Sequence, residues 1–377
     1  MIKGGPKIET SGLQLYYDVD NIDSYPGEPT TNYCYTGGSW SGDGGAQAIG
    51  AKGSVEITDP NLMYNGYRTV LWTPGTSHNC YLNGSNDFDL SATSTQWAWS
   101  CYIKRDDGGT ISSMSSYMYY PSSDGSGGCT VTPMGDGWYR ISRLRTGTSN
   151  VLSLIGFTSM ASEHKYYLSG WQLEKKTHLT QYADLSSTRS TTDGLKDLSG
   201  QANHADLATT TYDSNALIDY DGSSESVITS TADLAPGTGD FSASFWIYPR
   251  DWSGTWRAIL VVKTTGGFWL GVGSGVFIVR AYSVGNLLSY STLPTLNVWT
   301  NIGVSRIGTT LTLYYNGLPV QTATSAQDFV QAEAEVGSDG GSAGFDGKIN
   351  TSQFYNQGLT SQEFLNNYNA IKSRFGH

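Results

Sequence analysis

Gly12-Leu-Gln-Leu-Tyr-Tyr-Asp18 followed by Ser24-Tyr-Pro-Gly27, and Asp193-Gly-Leu-Lys-Asp-Leu-Ser-Gly200 continued by Gln201-Ala-Asn-His-Ala-Asp206, are the two stretches on which the fold turns. In the first, Leu13, Leu15 and Tyr17 alternate with Gln14, Tyr16 and Asp18, the period of a half-buried strand. Pro26 presets its backbone angle and Gly27 tolerates the reversed one, so the strand runs into a turn. The second stretch is polar and turn-rich.

Outward from these, composition speaks for β-structure throughout. The chain has 377 residues, room for about two domains. It holds 46 Gly, 25 Tyr and 11 Trp with only 15% charged residues, a mixture that suits short strands and tight turns. Helical periodicity is confined to the extreme C-terminus, so an all-β fold is expected. A formal charge of −11 and a pI of about 4.8 repel phosphate backbones, which argues against nucleic acid as a partner. Met1-Ile-Lys-Gly-Gly-Pro lacks the apolar core of a signal peptide, and no apolar run approaches membrane-spanning length. Cytoplasmic synthesis without membrane insertion is therefore expected. Cys34, Cys80, Cys101 and Cys129 allow two disulfides in three pairings. A reducing compartment favours buried thiols over those bridges, and no Cys/His spacing points to zinc.

Further strands are expected at Ala216-Leu-Ile-Asp-Tyr-Asp-Gly222, at Phe241-Ser-Ala-Ser-Phe-Trp-Ile-Tyr-Pro249 with Phe241, Ala243, Phe245 and Ile247 on one face, and at 269–272, 276–279 and 299–304. Leu311-Thr-Leu-Tyr-Tyr-Asn-Gly-Leu-Pro319 is a strand entering an Asn-Gly hairpin turn. Phe345–Ile349 and Phe354–Asn356 read as two closing strands. A last helix starts at Thr360, with Glu363 completing a capping box and Phe364, Leu365, Tyr368 and Ile371 forming its apolar stripe. These strands, the two opening stretches and the closing helix together resemble a laminin G-like (concanavalin A-like) domain of the kind common in tailed-phage virion proteins. In that family the Ser-Tyr-Pro-Gly turn and the Asp-Leu-Ser-Gly-x-x-Asn-His segment follow closely, whereas here residues 29–190 intervene.

Those intervening residues resemble a phage jelly-roll module similar to carbohydrate-binding modules. The resemblance rests on Gln96-Trp-Ala-Trp-Ser-Cys-Tyr-Ile-Lys104, with Trp97, Trp99, Cys101 and Ile103 on one face, on Gly135-Asp-Gly-Trp-Tyr-Arg-Ile-Ser142, and on Tyr167-Leu-Ser-Gly-Trp-Gln-Leu-Glu174 with Thr180-Gln-Tyr-Ala183. Residues 105–130, rich in Ser, Gly and Tyr, are expected as loops. The expected organisation is thus a host sandwich, 1–28 and 191–377, interrupted by a guest jelly-roll sandwich at 29–190, with a short C-terminal helix.

Chemistry is sparse. Glu333-Ala-Glu335 has the i, i+2 spacing of glucanase carboxylates without the intervening Asp pattern, and Glu56-Ile-Thr-Asp59 has the wrong parity, so solvated carboxylates are expected at both. None of the five histidines stands at metal or nucleophile-elbow spacing, and His204 is expected to pack the link turn. No cofactor is expected. The family resemblance raises calcium, for which Asp339 and Asp346 are the weak candidates. For glycans, flat aromatic faces are the feature to seek, and Trp252 and Trp256 flank a Ser-Gly loop while Tyr117, Tyr119 and Tyr120 crowd the guest's loops.

The resemblance implies a non-enzymatic virion structural protein of a tailed phage, exposed on head or tail as a decoration or knob subunit. Its partners would be other virion proteins and further copies of itself, with a trimer favoured. The rival readings are an adhesin for host-surface glycans and a polysaccharide depolymerase. An adhesin should show an exposed aromatic cluster on loops, a depolymerase two carboxylates facing across a groove, and a decoration protein neither.

Overall fold

The computed structural model describes residues 7–34, 49–51, 53–56, 63–64, 67–74, 80–88, 96–119, 127–146, 152–158, 163–183, 188–207, 209–223, 227–229, 234, 236–330, 334–339 and 343–377. Two compact units emerge, both built of antiparallel sheets. The larger is Met1–Glu28, Ser190–Asp213 and Leu217–His377; the smaller is Pro29–Arg189 with Ser214–Ala216.

The larger unit is a β-sandwich. One sheet runs in the order Leu13–Asp18, Asp346–Tyr355, Phe241–Pro249, Thr300–Ile307, Thr310–Tyr315, Leu318–Thr324. The other runs Val227–Thr229, Ala334–Val336, Trp256–Val262, Phe268–Gly273, Val276–Ala281, Gly285–Tyr290. Alternation along each strand decides what faces inward. Phe241, Ala243, Phe245 and Ile247 meet Leu260, Leu270, Val272, Phe277 and Val279 in one core, while Trp246 points to the opposite side of its sheet. The Asn-Gly hairpin forms as its sequence requires, with Asn316 at φ 50° and Gly317 at φ 76°.

The polar link is tied to the first strand through one carboxylate. Asp197 accepts from the backbone N–H of Tyr16 at 2.8 Å, of Ser199 at 2.9 Å and of Asn203 at 3.0 Å, and from the Ser199 hydroxyl at 2.6 Å. Ser24 and Lys196 exchange two hydrogen bonds, the Lys196 N–H donating to Ser24 O and the Ser24 hydroxyl to Lys196 O. Asp197 N donates to His204 Nδ1 at 3.0 Å, which fixes the turn around them.

The helix Ser361–Ile371 lies on the outer side of the first sheet. Thr360 Oγ1 accepts from Glu363 N and the Glu363 carboxylate accepts from Thr360 N, so the capping box is complete. Phe364 stacks on Tyr314 at 4.0 Å and fills the space above Gly303, where a Cβ would lie 2.3 Å from the ring. Beyond the helix, Phe375 stacks on Trp246 at 4.1 Å, and Arg374 grips both oxygens of Asp18 at 2.6 and 2.7 Å. The expected apolar stripe is narrower than its spacing implies. Leu365 and Ile371 are only half-buried, and the second buried helical side chain is Asn367, which accepts from Glu9 N and donates to the Tyr355 hydroxyl.

Three other expectations change. Phe345–Ile349 and Phe354–Asn356 are parts of one strand, Asp346–Tyr355, kept continuous by a register shift opposite Trp246 and Ile247. The strand expected at 216–222 shrinks to Tyr220–Asp221, because turns and isolated bridges satisfy the backbone before it. In the smaller unit, 105–130 is not all loop. Ser115–Tyr119 pairs with Leu152–Thr158, Gly127–Gly128 pairs with Ser115–Tyr119, and Thr130–Gly135 borders Trp138–Thr146. Tyr117 and Tyr119 bring the strand propensity of tyrosine to this stretch.

The smaller unit is the second sandwich. Its longer sheet runs Thr130–Gly135, Trp138–Thr146, Gln96–Arg105, Tyr166–Glu174, Tyr67–Pro74, Gly53–Glu56; its other sheet runs Ile49–Ala51, Cys80–Phe88, Leu152–Thr158, Ser115–Tyr119, Gly127–Gly128. Trp97, Trp99, Cys101 and Ile103 share one buried face with Trp72, Trp171 and Leu173. The opposite face explains the Gln-Leu-Glu and Thr-x-Tyr motifs. Gln172 donates to Thr180 Oγ1 and accepts from Ala183 N, while Glu174 accepts from Thr30 Oγ1, Thr180 N and Thr180 Oγ1. Asn32 joins the same network, donating to Trp171 O and Ala183 O. The two ends of this unit lie together, Thr31 bridging Thr188 and Arg189 N donating to Thr30 O. Cys34 is a buried thiol that burial makes harder to ionise, and Cys101 Sγ contacts the Ser169 carbonyl at 3.4 Å.

Candidate functional site

The two tryptophans singled out by sequence part company. Trp252 belongs to the rim of the main core: its ring meets Phe345 edge-on at 5.7 Å and its indole N–H donates to Pro294 O at 2.8 Å. Trp256 stands on the outer face of the second sheet, in a separate small cluster with Ala258, Val261, Trp269, Ile278 and Ala343.

The register shows why a tryptophan fits there. Trp256 pairs with Gly273, Ala258 with Gly271, and Val261 with Trp269; across the next ladder Gly273 pairs with Val276, Gly271 with Ile278 and Trp269 with Arg280. The two glycines bare the backbone. A Cβ at Gly273 would lie 2.4 Å from the Trp256 ring, and one at Gly271 2.8 Å from Cη2 of Trp269. The rings meet edge to face at 5.7 Å, and the Arg280 guanidinium carbon lies 4.9 Å from the Trp256 ring centre. Trp256, Val276, Arg280 and Tyr282 remain partly exposed, while Trp269 is buried. This surface is an aromatic floor carrying a cation, and it lies on a sheet face rather than on loops. The sequence signal that could have located it is Trp269-Leu-Gly-Val-Gly273, since Gly inside a strand marks a close approach.

Residues 221–364, within this larger unit, match the sequence profile of the concanavalin A-like lectin/glucanases superfamily. The antiparallel sheets of this unit are consistent with a concanavalin A-like β-sandwich. No curated protein matches the chain in sequence. Among solved structures, the binding domain of botulinum neurotoxin DC, in complex with rat synaptotagmin II, is similar at TM-score 0.38 and 14% identity over 47% of this chain and 49% of that one. Domain 4 of AbnA, an extracellular arabinanase from Geobacillus stearothermophilus in complex with arabinotriose, gives TM-score 0.39 and 15% identity over 46% and 92%. The binding domain of Paraclostridial Mosquitocidal Protein 1 gives TM-score 0.39 and 19% identity over 48% and 50%. The chain thus spans about half the length of the toxin domains it resembles.

The remaining sequence candidates fall elsewhere. Tyr117 and Tyr119 lie in the strand Ser115–Tyr119, opposite Gly156 and Leu154, which corrects their expected loop setting; Tyr120 lies outside the described residues. Asp346 is held by a cation of the chain itself. Arg250 Nε donates to it at 2.8 Å while Arg250 Nη1 reaches both oxygens of Asp219 at 2.8 and 2.9 Å. Asp339 is half-buried nearby in sequence. Among the described residues no group of three or more His, Cys, Asp or Glu is arranged to hold a metal. Of the paired glutamates, Glu335 is buried and bridged to Lys263 at 2.6 Å, and Glu333 is outside the described residues. Glu56 lies in the strand Gly53–Glu56, and Asp59 is outside the described residues.

The smaller unit holds a second aromatic group that sequence reading missed. Tyr64 stacks on Trp138 at 4.3 Å and meets Tyr102 at 5.0 Å, with the Arg140 guanidinium 5.6 Å from the Tyr102 ring. Gly170, at φ 57°, makes room for Tyr102, since a Cβ there would lie 2.6 Å from the ring. Arg140 donates to Ser100 Oγ and Thr180 O, so this group serves the polar network that closes the sheet.

Proposed function

We propose that the chain is a non-catalytic glycan-binding protein and that the outer sheet face around Trp256 is its sugar platform. The carrying observation is the Trp256–Trp269–Arg280 arrangement over Gly271 and Gly273, in which Trp256 and Arg280 stay partly exposed above a small buried cluster. A flat indole covers the apolar side of a pyranose, and an adjacent cation supplies directional hydrogen bonds. The match of 221–364 to a superfamily of lectins and glucanases supports a sugar ligand. The non-catalytic part rests on the carboxylates. Glu335 is neutralised by Lys263, and Asp219 and Asp346 hold Arg250 between them where hydrolysis needs an acid and a nucleophile facing substrate.

Binding of the full chain to immobilised glycans tests this reading. Trp256→Ala, checked for folding by its melt, is expected to weaken binding roughly tenfold, ~1.4 kcal/mol, or more. Trp252→Phe should bind as the parent does. Equal binding by Trp256→Ala and the parent would remove the platform.

The sequence resemblance supports a setting on the virion surface of a tailed phage, among other virion proteins and in a homo-oligomer. A virion reconstruction in which this chain is located, or is absent, decides that setting.

A further inference from the structure

Resting on the glycan reading, we infer that the preferred ligand is an acidic saccharide whose oxyanion is held by Arg280. The inference starts from how the arginines of the larger unit use their donors. Arg250 donates to Asp219 and Asp346, Arg257 to Asp251 at 2.6 Å, Arg374 to Asp18, and Arg306 to the carbonyls of Gly237, Gly239 and Gln327. Arg280 donates to no acceptor among the described residues, and its Nε is buried without a partner. In a chain of net charge −11, carboxylates are plentiful, yet none closes on this cation among the described residues.

Its surroundings make that unusual. Arg280 stands opposite Trp269 on one side and Asn286 on the other, with Ile278 two residues before it on the same face. The nearest carboxylate along that row of the sheet is Glu335, beyond Val261 and Trp269, and it is spent on Lys263. A guanidinium is planar, permanently charged and shaped for two-point contact with an oxyanion. Its Nε is occluded by the chain, so the terminal Nη groups are the donors a ligand oxyanion would meet. Trp256 holds the guanidinium over its ring at 4.9 Å, which presets the position of the fork. A sugar ring packed beside this pair and carrying a carboxylate or sulfate would therefore meet the exposed indole and the cation at once.

The test is titration of the full chain with tri-galacturonate, the neutral galactose trisaccharide and a sulfated galactose trisaccharide, each at low and high salt. The acidic ligands are expected to bind about 10- to 100-fold tighter than the neutral one, the scale of a charge-assisted contact, with the gap closing as salt rises. The galacturonate and sulfate arms tell which oxyanion fits. In Arg280→Gln the acidic-to-neutral ratio should fall toward one. Arg280→Lys, which keeps the charge but not the fork, should give an intermediate ratio and carries the comparison should Arg280→Gln fail to fold. An acidic preference that survives in Arg280→Gln overturns the inference. So does a parent chain that prefers the neutral sugar, although the glycan reading then stands. Failure to bind any saccharide removes both.

Discussion

Single residues hold the loops of the larger unit by charge. Asp251 shows this best: the Arg257 guanidinium at 2.6 Å, with the N–H and hydroxyl of Ser253, holds its carboxyl down at about 2. The ordinary value is about 3.9. A group whose folded value is lowered stabilises the fold above its unfolded value, and loses that contribution as pH falls through the folded one. The parent should therefore melt above Asp251→Asn at neutral pH, with the difference closing between roughly pH 4 and pH 2. Melting curves across that range check it, and a gap that stays constant to pH 2 would mean the difference does not come from the ionised Asp251 carboxylate. This site could not be read from the sequence, because Asp251 and Arg257 flank a loop whose closure brings them together only in three dimensions. The same holds for Arg280, whose significance lies in what it lacks. The residues whose placement was legible are those with a periodic role: Phe241, Ala243, Phe245 and Ile247, or Trp97, Trp99, Cys101 and Ile103.

At the level of elements, the C-terminal helix was legible because its cap is local chemistry, Thr360 with Glu363 three residues on. Its buried face was not, because docking depends on a partner far away in sequence. Gly303 is that partner, and the Phe364 ring occupies the space its missing side chain leaves. Gly303→Ala is expected to destabilise the larger unit by about 1–3 kcal/mol, as small-to-large changes in packed sites do. Thr360→Ala should cost about 1 kcal/mol through the cap alone. Urea unfolding measures both, and a neutral Gly303→Ala would show that the helix sits more loosely than its geometry states. Strands without a periodic signal were the other blind spot. Ser115–Tyr119 is written in Ser and Tyr with one Met, a composition that loops also use.

For the whole molecule the proposal is that 29–190 is an autonomous guest within one interrupted host. The close approach of Thr31 and Thr188 is what an inserted domain needs, because guest ends that meet can replace a single host loop. Replacing 30–190 by a short Gly/Ser link should leave a soluble β-rich protein with cooperative unfolding, and the excised piece should fold alone. Loss of cooperative unfolding in the shortened chain would refute this organisation.

The pairing of Leu13–Asp18 with Asp346–Tyr355 also sets an order on synthesis. Residues 19–345 separate the strand from its partner, and at roughly 5–20 residues per second the wait lasts tens of seconds. During that interval the ribosome delivers all of 29–190, whose strands find their partners within the same stretch. The nascent chain therefore carries an apolar strand, Leu13, Leu15 and Tyr17, still without its sheet partner, ahead of a stretch whose strands pair within itself. The polar link at 193–206 is synthesised well before Asp346–Tyr355, so the Asp197 carboxylate that accepts from the Tyr16 amide in the fold is available to it before the sheet is.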